Sequence, residues 1–265
     1  MNIYLHELKS SRRSLIIWII SLCGLMGLMM CFYPLVKNDM DTYMELMNNF
    51  PPAMKAVLGV MFEDFTSAVG FYGFIFTYIT LAGAIQAMNL GVSIVSKEER
   101  EKTADFLMTK PVSRPTIMTA KVVAAFSIFL ITNIIYSCTT YFAMLALSGK
   151  DLDLKRLLLF QLALILMQLV FFSIGLCVTA FMKKVRAVLP ISLGMIFSFF
   201  AISALAVTSA EDKLRYITPF QYFTAKQIMK EASFEPSFLI ISAVIVCLGI
   251  AISYFRYIHK NIHAV

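Results

Sequence analysis

An all-α integral membrane protein with six transmembrane helices is predicted by three observations. The 265-residue chain is 59% hydrophobic and only 15% charged, against roughly a quarter charged in ordinary soluble domains, and its mean hydropathy is +0.78. Its charges are clustered and leave six uncharged gaps, Ser14–Val36, Phe65–Ser96, Val122–Gly149, Leu157–Met182, Ala187–Ala210 and Pro236–Phe255. Each gap reaches the roughly 20 residues that a helix needs to cross the hydrocarbon core. The runs are continuous rather than alternating in polarity, which selects helices over a β-barrel.

The expected spans are about 15–35, 70–95, 122–148, 157–182, 187–209 and 237–255, within a single transmembrane domain over 1–265. The first run is longer than a signal-peptide core and no A-x-A site follows it, so it reads as a true span. The second is too long for one straight crossing, and has Gly70 and Gly73 near its start. Part of it is expected to lie at the outer surface, or the helix to tilt strongly. Gly83, Ala87 and Gly91 form a small-xxx-small ladder on this span, which permits close packing against a partner helix.

Six spans put both termini on one side. The segments on that side hold 14 Lys and Arg and 5 acidic residues, against 9 and 11 on the other. The more basic side faces the cytoplasm, so both termini and the loop 97–121 are expected there. The net charge of +7 therefore requires no nucleic acid.

No Asp, Glu, Lys, Arg or His falls in the middle of a span. Ion-coupled carriers usually place such groups in the membrane, and many channels ring their pores with charge. Energy for uphill transport would thus enter from outside the bilayer. The intramembrane polar residues are amides: Gln86 and Asn89 on one face of the second span, Asn133 in the third, Gln161 and Gln168 in the fourth. The plainer reading is interhelical hydrogen bonding, about 0.6–2 kcal/mol each. The functional reading is a substrate path between subunits through Gln86, Asn89, Asn133 and Gln168. The five cysteines all lie in apolar runs without a C-x-x-C pair, and His259 and His263 have no nearby acidic or thiol partner. Neither set suggests a metal site.

The loop between the second and third spans carries ten charged residues between Ser96 and Val122. Ser96 and Glu99 fit a capping box, with Glu98, Glu99 and Glu101 in the first turn of a helix starting there. Ala104, Leu107 and Met108 form a short apolar stripe and Pro111 ends the helix. Ser113 then caps a new start, with Pro115 inside its first turn. Such a helix, about 98–110, could rest on lipid, held by Lys110, Arg114 and Lys121, or dock into a cytoplasmic partner.

The stretch EEREKTADFLMTKPVSRPTIMTAKV closely resembles the cytoplasmic loop of ATP-binding cassette (ABC) permeases of the type-2 exporter class. The matching positions are Glu98, Glu99, Thr103, Phe106, Leu107, Pro111 to Arg114, and Lys121. Lys102 stands where that class often has glycine, so the local turn or the docking fit differs. The resemblance implies an amphipathic cytoplasmic-loop helix, an amphipathic N-terminal helix lying along the membrane (NIYLHELKSSRRS) and short outer helices before the last span, in YITPFQYFTAKQIMKEASFEP. In the last of these, Thr218 can cap a helix beginning at Pro219. It also implies a non-catalytic permease subunit that binds no cofactor. ATP and Mg would sit on a partner ATPase present in two copies, beside a second copy of this or a related permease. Coupling would fall to Glu98, Glu99, Thr103, Ala104, Asp105, Phe106, Leu107, Pro111, Ser113 and Arg114. The expected activity is outward movement of a hydrophobic or amphipathic peptide, drug or lipid across a bacterial plasma (inner) membrane. No G-x-x-x-x-G-K-[ST] occurs in the chain. The alternatives are an ATP-independent channel or carrier, and a non-transporting scaffold or immunity protein.

Overall fold

The computed structural model describes residues 3–42, 45, 49–51, 54, 67–101, 112–148, 152–182, 184–209 and 212–259. Among them no strand occurs, and six helical segments are long and apolar enough to cross a bilayer. The first segment comprises α1 (Ile3–Met30) and α2 (Tyr33–Asn38). It is followed by α3 (Ala68–Glu101), α4 (Arg114–Ser148), α5 (Leu154–Phe181) and α6 (Val188–Ser209). A short α7 (Asp212–Arg215), a 3-10 turn (Pro219–Gln221) and α8 (Ala225–Glu231) lead into α9 (Pro236–His259). The chain is an all-α integral membrane protein.

The α3–α5 pair is the centre of the bundle, with the most extensive contact between any two elements described. A Cβ built on Gly91 would lie 2.5 Å from the Phe172 carbonyl oxygen, and one on Gly175 would lie 2.9 Å from that of Met88. Only glycine at both positions lets the two backbones meet, which gives the small-residue ladder its partner. Gly83, about two turns earlier on the same ladder, lies against Leu164 and Gln168 of α5. α9 also meets α5 by the same device, Gly249 lying on the backbone of Ser173. By contrast α1, α6 and α9 keep rows of large apolar side chains exposed, such as Ile16, Ile20, Phe197, Leu205, Ile240 and Leu248. In a bilayer these exposed rows face lipid or another chain.

Two local expectations are corrected, and a choice between two others is narrowed. The described part of the long second run is one uninterrupted 34-residue helix, α3, in keeping with the tilted-helix alternative. At about 51 Å it exceeds the hydrocarbon core, so it tilts or projects. The N-terminal segment is likewise helical without a break into the first span, so a separate N-terminal helix is not formed. Ser96 does not cap a helix: it lies inside α3, and its buried hydroxyl donates to the Val92 carbonyl at 2.7 Å. A serine within a helix has its i−4 carbonyl in reach, and that bond replaces the capping box.

The opposite end is closed by the segment before α9. Thr218 precedes the turn that begins at Pro219, but its hydroxyl bonds the Phe199 carbonyl of α6 at 2.8 Å instead of capping. Thr224 is the residue that caps, accepting from Gln227 N at the start of α8. Tyr222 stacks on Phe238, ring centroids 5.1 Å apart, and its hydroxyl donates to the Tyr216 carbonyl at 2.6 Å. Burial raises the Tyr222 pKa above the ordinary phenol value. Arg215 pairs with Glu235 at 2.7 Å and lies over the Phe238 ring.

The helix crossing gives a paired prediction. Gly91→Ala places a methyl against backbone, which cannot rotate away, and is expected to cost about 1–3 kcal/mol. Gly24→Ala meets nothing within 4 Å and is expected to leave stability unchanged or slightly raised. Thermal unfolding of the two purified variants in one detergent checks the difference.

Candidate functional site

Four helix ends meet on the side that carries the termini. The inward face of α1 brings Glu7 there; α3 brings Lys97 and Glu98; the first turns of α4 bring Lys121; and the end of α9 lies alongside. Lys121 is fully buried. An ammonium has three N–H donors and no acceptor, and each donor here has a partner. Lys121 Nζ bonds Glu7 Oε1 at 3.1 Å, the Ile94 carbonyl at 2.5 Å, and Glu98 Oε1. Lys97 Nζ lies 3.6 Å from the other Glu7 oxygen and donates to Ser10 Oγ at 2.6 Å. Two carboxylates thus face two ammonium groups in a neutral cluster spanning α1, α3 and α4.

Burying such a cluster is not by itself stabilising, because desolvation offsets most of the attraction. Its value lies in geometry: moving α3 relative to α1 or α4 would strand a buried charge. Glu98 Oε2 has no partner among the described residues.

The start of α4 is tied separately. Ser113 caps it as the sequence suggests, with Thr116 N donating to its hydroxyl at 3.4 Å and Pro115 in the first turn. Arg114 Nη1 donates to the Ile258 carbonyl at 3.0 Å, satisfying an acceptor near the end of α9. Tyr254 of α9 donates to the Pro115 carbonyl at 3.2 Å. Both segments that flank residues 102–111 are therefore fastened to the bundle. One is held by the Lys121 cluster and the other by α9.

Of the coupling residues read from the sequence, Glu98, Ser113 and Arg114 take part in these contacts. Glu98 and Glu99 lie near the end of α3 rather than at the start of a new helix. Thr103, Ala104, Asp105, Phe106, Leu107 and Pro111, and with them the expected helix at 98–110 beyond Glu101, lie outside the described residues. Sequence reasoning missed Glu7, and placed Lys121 at the lipid interface rather than in the interior. The signal was present in Lys121 itself, a lone cation at the edge of a long uncharged run.

The intramembrane amides lie elsewhere, where α3, α4 and α5 meet. Gln86 donates to Thr132 Oγ1 at 3.2 Å, Gln168 donates to Gln86 Oε1 at 3.2 Å, and Asn133 donates to Gln168 Oε1 at 2.6 Å. All three amides are buried and bind one another across three helices. Asn89 does not join them; its Oδ1 is buried without a partner among the described residues. Gln161 belongs to a second group, accepting from Ser137 at 3.0 Å and donating to the Tyr72 hydroxyl, which pairs with that of Tyr136 at 2.8 Å.

Among the described residues no group of three or more His, Cys, Asp or Glu is placed to hold a metal ion. A family model described as ABC-2 family transporter protein matches residues 1–261. No curated protein matches the sequence.

Two predictions follow from these networks. Lys121→Met strands two carboxylates and is expected to destabilise by about 3–5 kcal/mol. Adding Glu7→Gln and Glu98→Gln to it is expected to restore much of that loss, read as thermal stability in detergent. Gln168→Leu removes partners from both Gln86 and Asn133 and is expected to cost about 1–2 kcal/mol, checked by the same unfolding measurement.

Proposed function

The chain belongs to the ABC-2 transporter family, and we propose that it couples ATP hydrolysis on a partner subunit to outward movement of a hydrophobic or amphipathic cargo. It is a multi-pass membrane permease of an ABC transporter, a family that normally works with an ATP-binding cassette subunit. In the proposed assembly two ATPase copies, each holding ATP and Mg, sit beneath two permease chains, this one and a second copy or relative. The membrane is the bacterial plasma membrane and both termini are cytoplasmic, in keeping with the excess of Lys and Arg on their side. This chain itself is non-catalytic.

The observation that carries the reading is the fastening of both flanks of residues 102–111. A push delivered between α3 and α4 would reach α1 and α4 through Glu98 and Lys121, and α9 through Arg114. The buried charges resist local yielding, because displacing one would leave another buried charge short of a partner. Force would therefore move helices rather than merely deform the loop. The mutual bonding of Gln86, Asn133 and Gln168 favours a packing role for these amides over a polar path. This weakens the case for an ATP-independent carrier.

Charge reversal at Glu98 is a poor test of coupling, since it would also disrupt the Lys121 cluster. A double change further along the loop, Asp105→Lys with Phe106→Ala, is the better one. It is expected to reduce recovery of the ATPase with the tagged permease by roughly tenfold or more while thermal stability holds. The primary experiment is native mass spectrometry of the tagged chain, purified in mild detergent from its own membrane. A stoichiometric partner carrying a G-x-x-x-x-G-K-[ST] motif, two copies to two permeases, is expected. A permease oligomer without such a partner would overturn the proposal.

A further inference from the structure

The outward face of the first turns of α1 differs from the inward face that holds Glu7. His6, Lys9, Ser10, Arg12 and Arg13 line an open groove of about 460 Å³. All five side chains are exposed. His6 and Lys9, Lys9 and Arg12, and Lys9 and Arg13 stand three or four residues apart on a continuous helix, so they are close neighbours. Neighbouring like charges at this spacing repel unless an anion lies between them. Among the described residues, Lys9, Arg12 and Arg13 have no carboxylate partner. The nearest acid in sequence, Glu7, faces inward and is committed to Lys121 and Lys97. Ser10 accepts from Lys97 through its oxygen at 2.6 Å, which leaves its own O–H to donate.

The location narrows the ligand. From Arg13 the same helix passes directly into the uncharged run Ser14–Val36, so the groove lies at the level where a bilayer's headgroups begin. Arginine forks and a lysine suit phosphate oxygens, and the hydroxyl adds a neutral donor. We propose that this groove binds the phosphate of an anionic phospholipid headgroup, a lipid bound to the permease rather than carried by it. Such a lipid would neutralise the three clustered cations and hold the first turns of α1 against the membrane surface. The site does not depend on which cargo the permease moves, nor on how ATP drives it.

The test is native mass spectrometry of the purified full-length assembly in detergent, titrated with phosphatidylglycerol or with phosphatidylcholine. Wild type is expected to bind phosphatidylglycerol at least about tenfold more tightly, since each cation near an anionic surface contributes appreciably. The Lys9→Gln/Arg12→Gln/Arg13→Gln variant is expected to lose most of that preference. A control with Lys184→Gln and Arg186→Gln, exposed cations elsewhere on the same side, is expected to keep it. Equal affinity of wild type for the two lipids would overturn the proposal, as would an undiminished preference in the triple variant. Displacement of phosphatidylglycerol by millimolar inorganic phosphate would also overturn it, and would assign the groove to a free phosphate ligand.

Discussion

The close approach of α3 and α5 is the constraint on which the rest of the bundle depends. In a bilayer the hydrophobic effect cannot drive helices together, because lipid tails are as apolar as leucine. What remains is contact at short range and hydrogen bonding between polar side chains. Gly91 and Gly175 provide the first by letting backbone meet backbone. Gln86 and Gln168 provide the second on the same pair of helices, and draw Asn133 of α4 into the bond. Gly249 then sets α9 against α5 at Ser173. Remove the close crossing and the amides would be too far apart to satisfy one another in an apolar medium.

The charged end follows a different logic. There the chain keeps four ionised groups together by giving Lys121 a partner for every N–H. Three helices that make much of their contact through apolar surfaces are thereby registered at one level. A lipid-facing helix such as α1 could otherwise slide or rotate against its neighbours at little cost. Polar groups that specify register without adding much stability are a recognised use of buried charge. The Lys121 cluster is a case where that use also lies beside the segment read as the point of ATPase contact.

Much of this was legible in the sequence because the bilayer simplifies the problem. Continuous uncharged runs locate the spans, and the glycine ladder on α3 announces a close neighbour. The amides at 86, 133 and 168 are visible because polarity is rare within the runs, although only the structure shows that they bond one another. Ser113 and Pro115 mark the start of α4 because their local geometry needs no tertiary information. The misreadings arose where local and long-range options compete. Ser96 and Glu99 have capping-box spacing, yet a helix that simply continues offers Ser96 a carbonyl four residues back. Thr218 likewise has a distant carbonyl on α6 in place of its local cap. Lys121 was expected at the lipid interface because its counterion, Glu7, is 114 positions away in the chain, and no spacing rule connects them.

That separation imposes an order on biosynthesis. Glu7 emerges among the first residues made, while Lys121 follows 114 residues later. At roughly 5–20 residues per second, the ribosome takes several seconds or more to supply it. Lys97, made earlier, lies farther from Glu7 and remains partly exposed, so it does not replace the buried ammonium. Throughout that interval the head of α1 carries an acid whose permanent counterion does not yet exist. The buried Glu7–Lys121 pairing can therefore form only after α4 has been made. The N-terminal helix is the first to be synthesised, yet the last partner of its buried acid comes from the fourth helix of the chain.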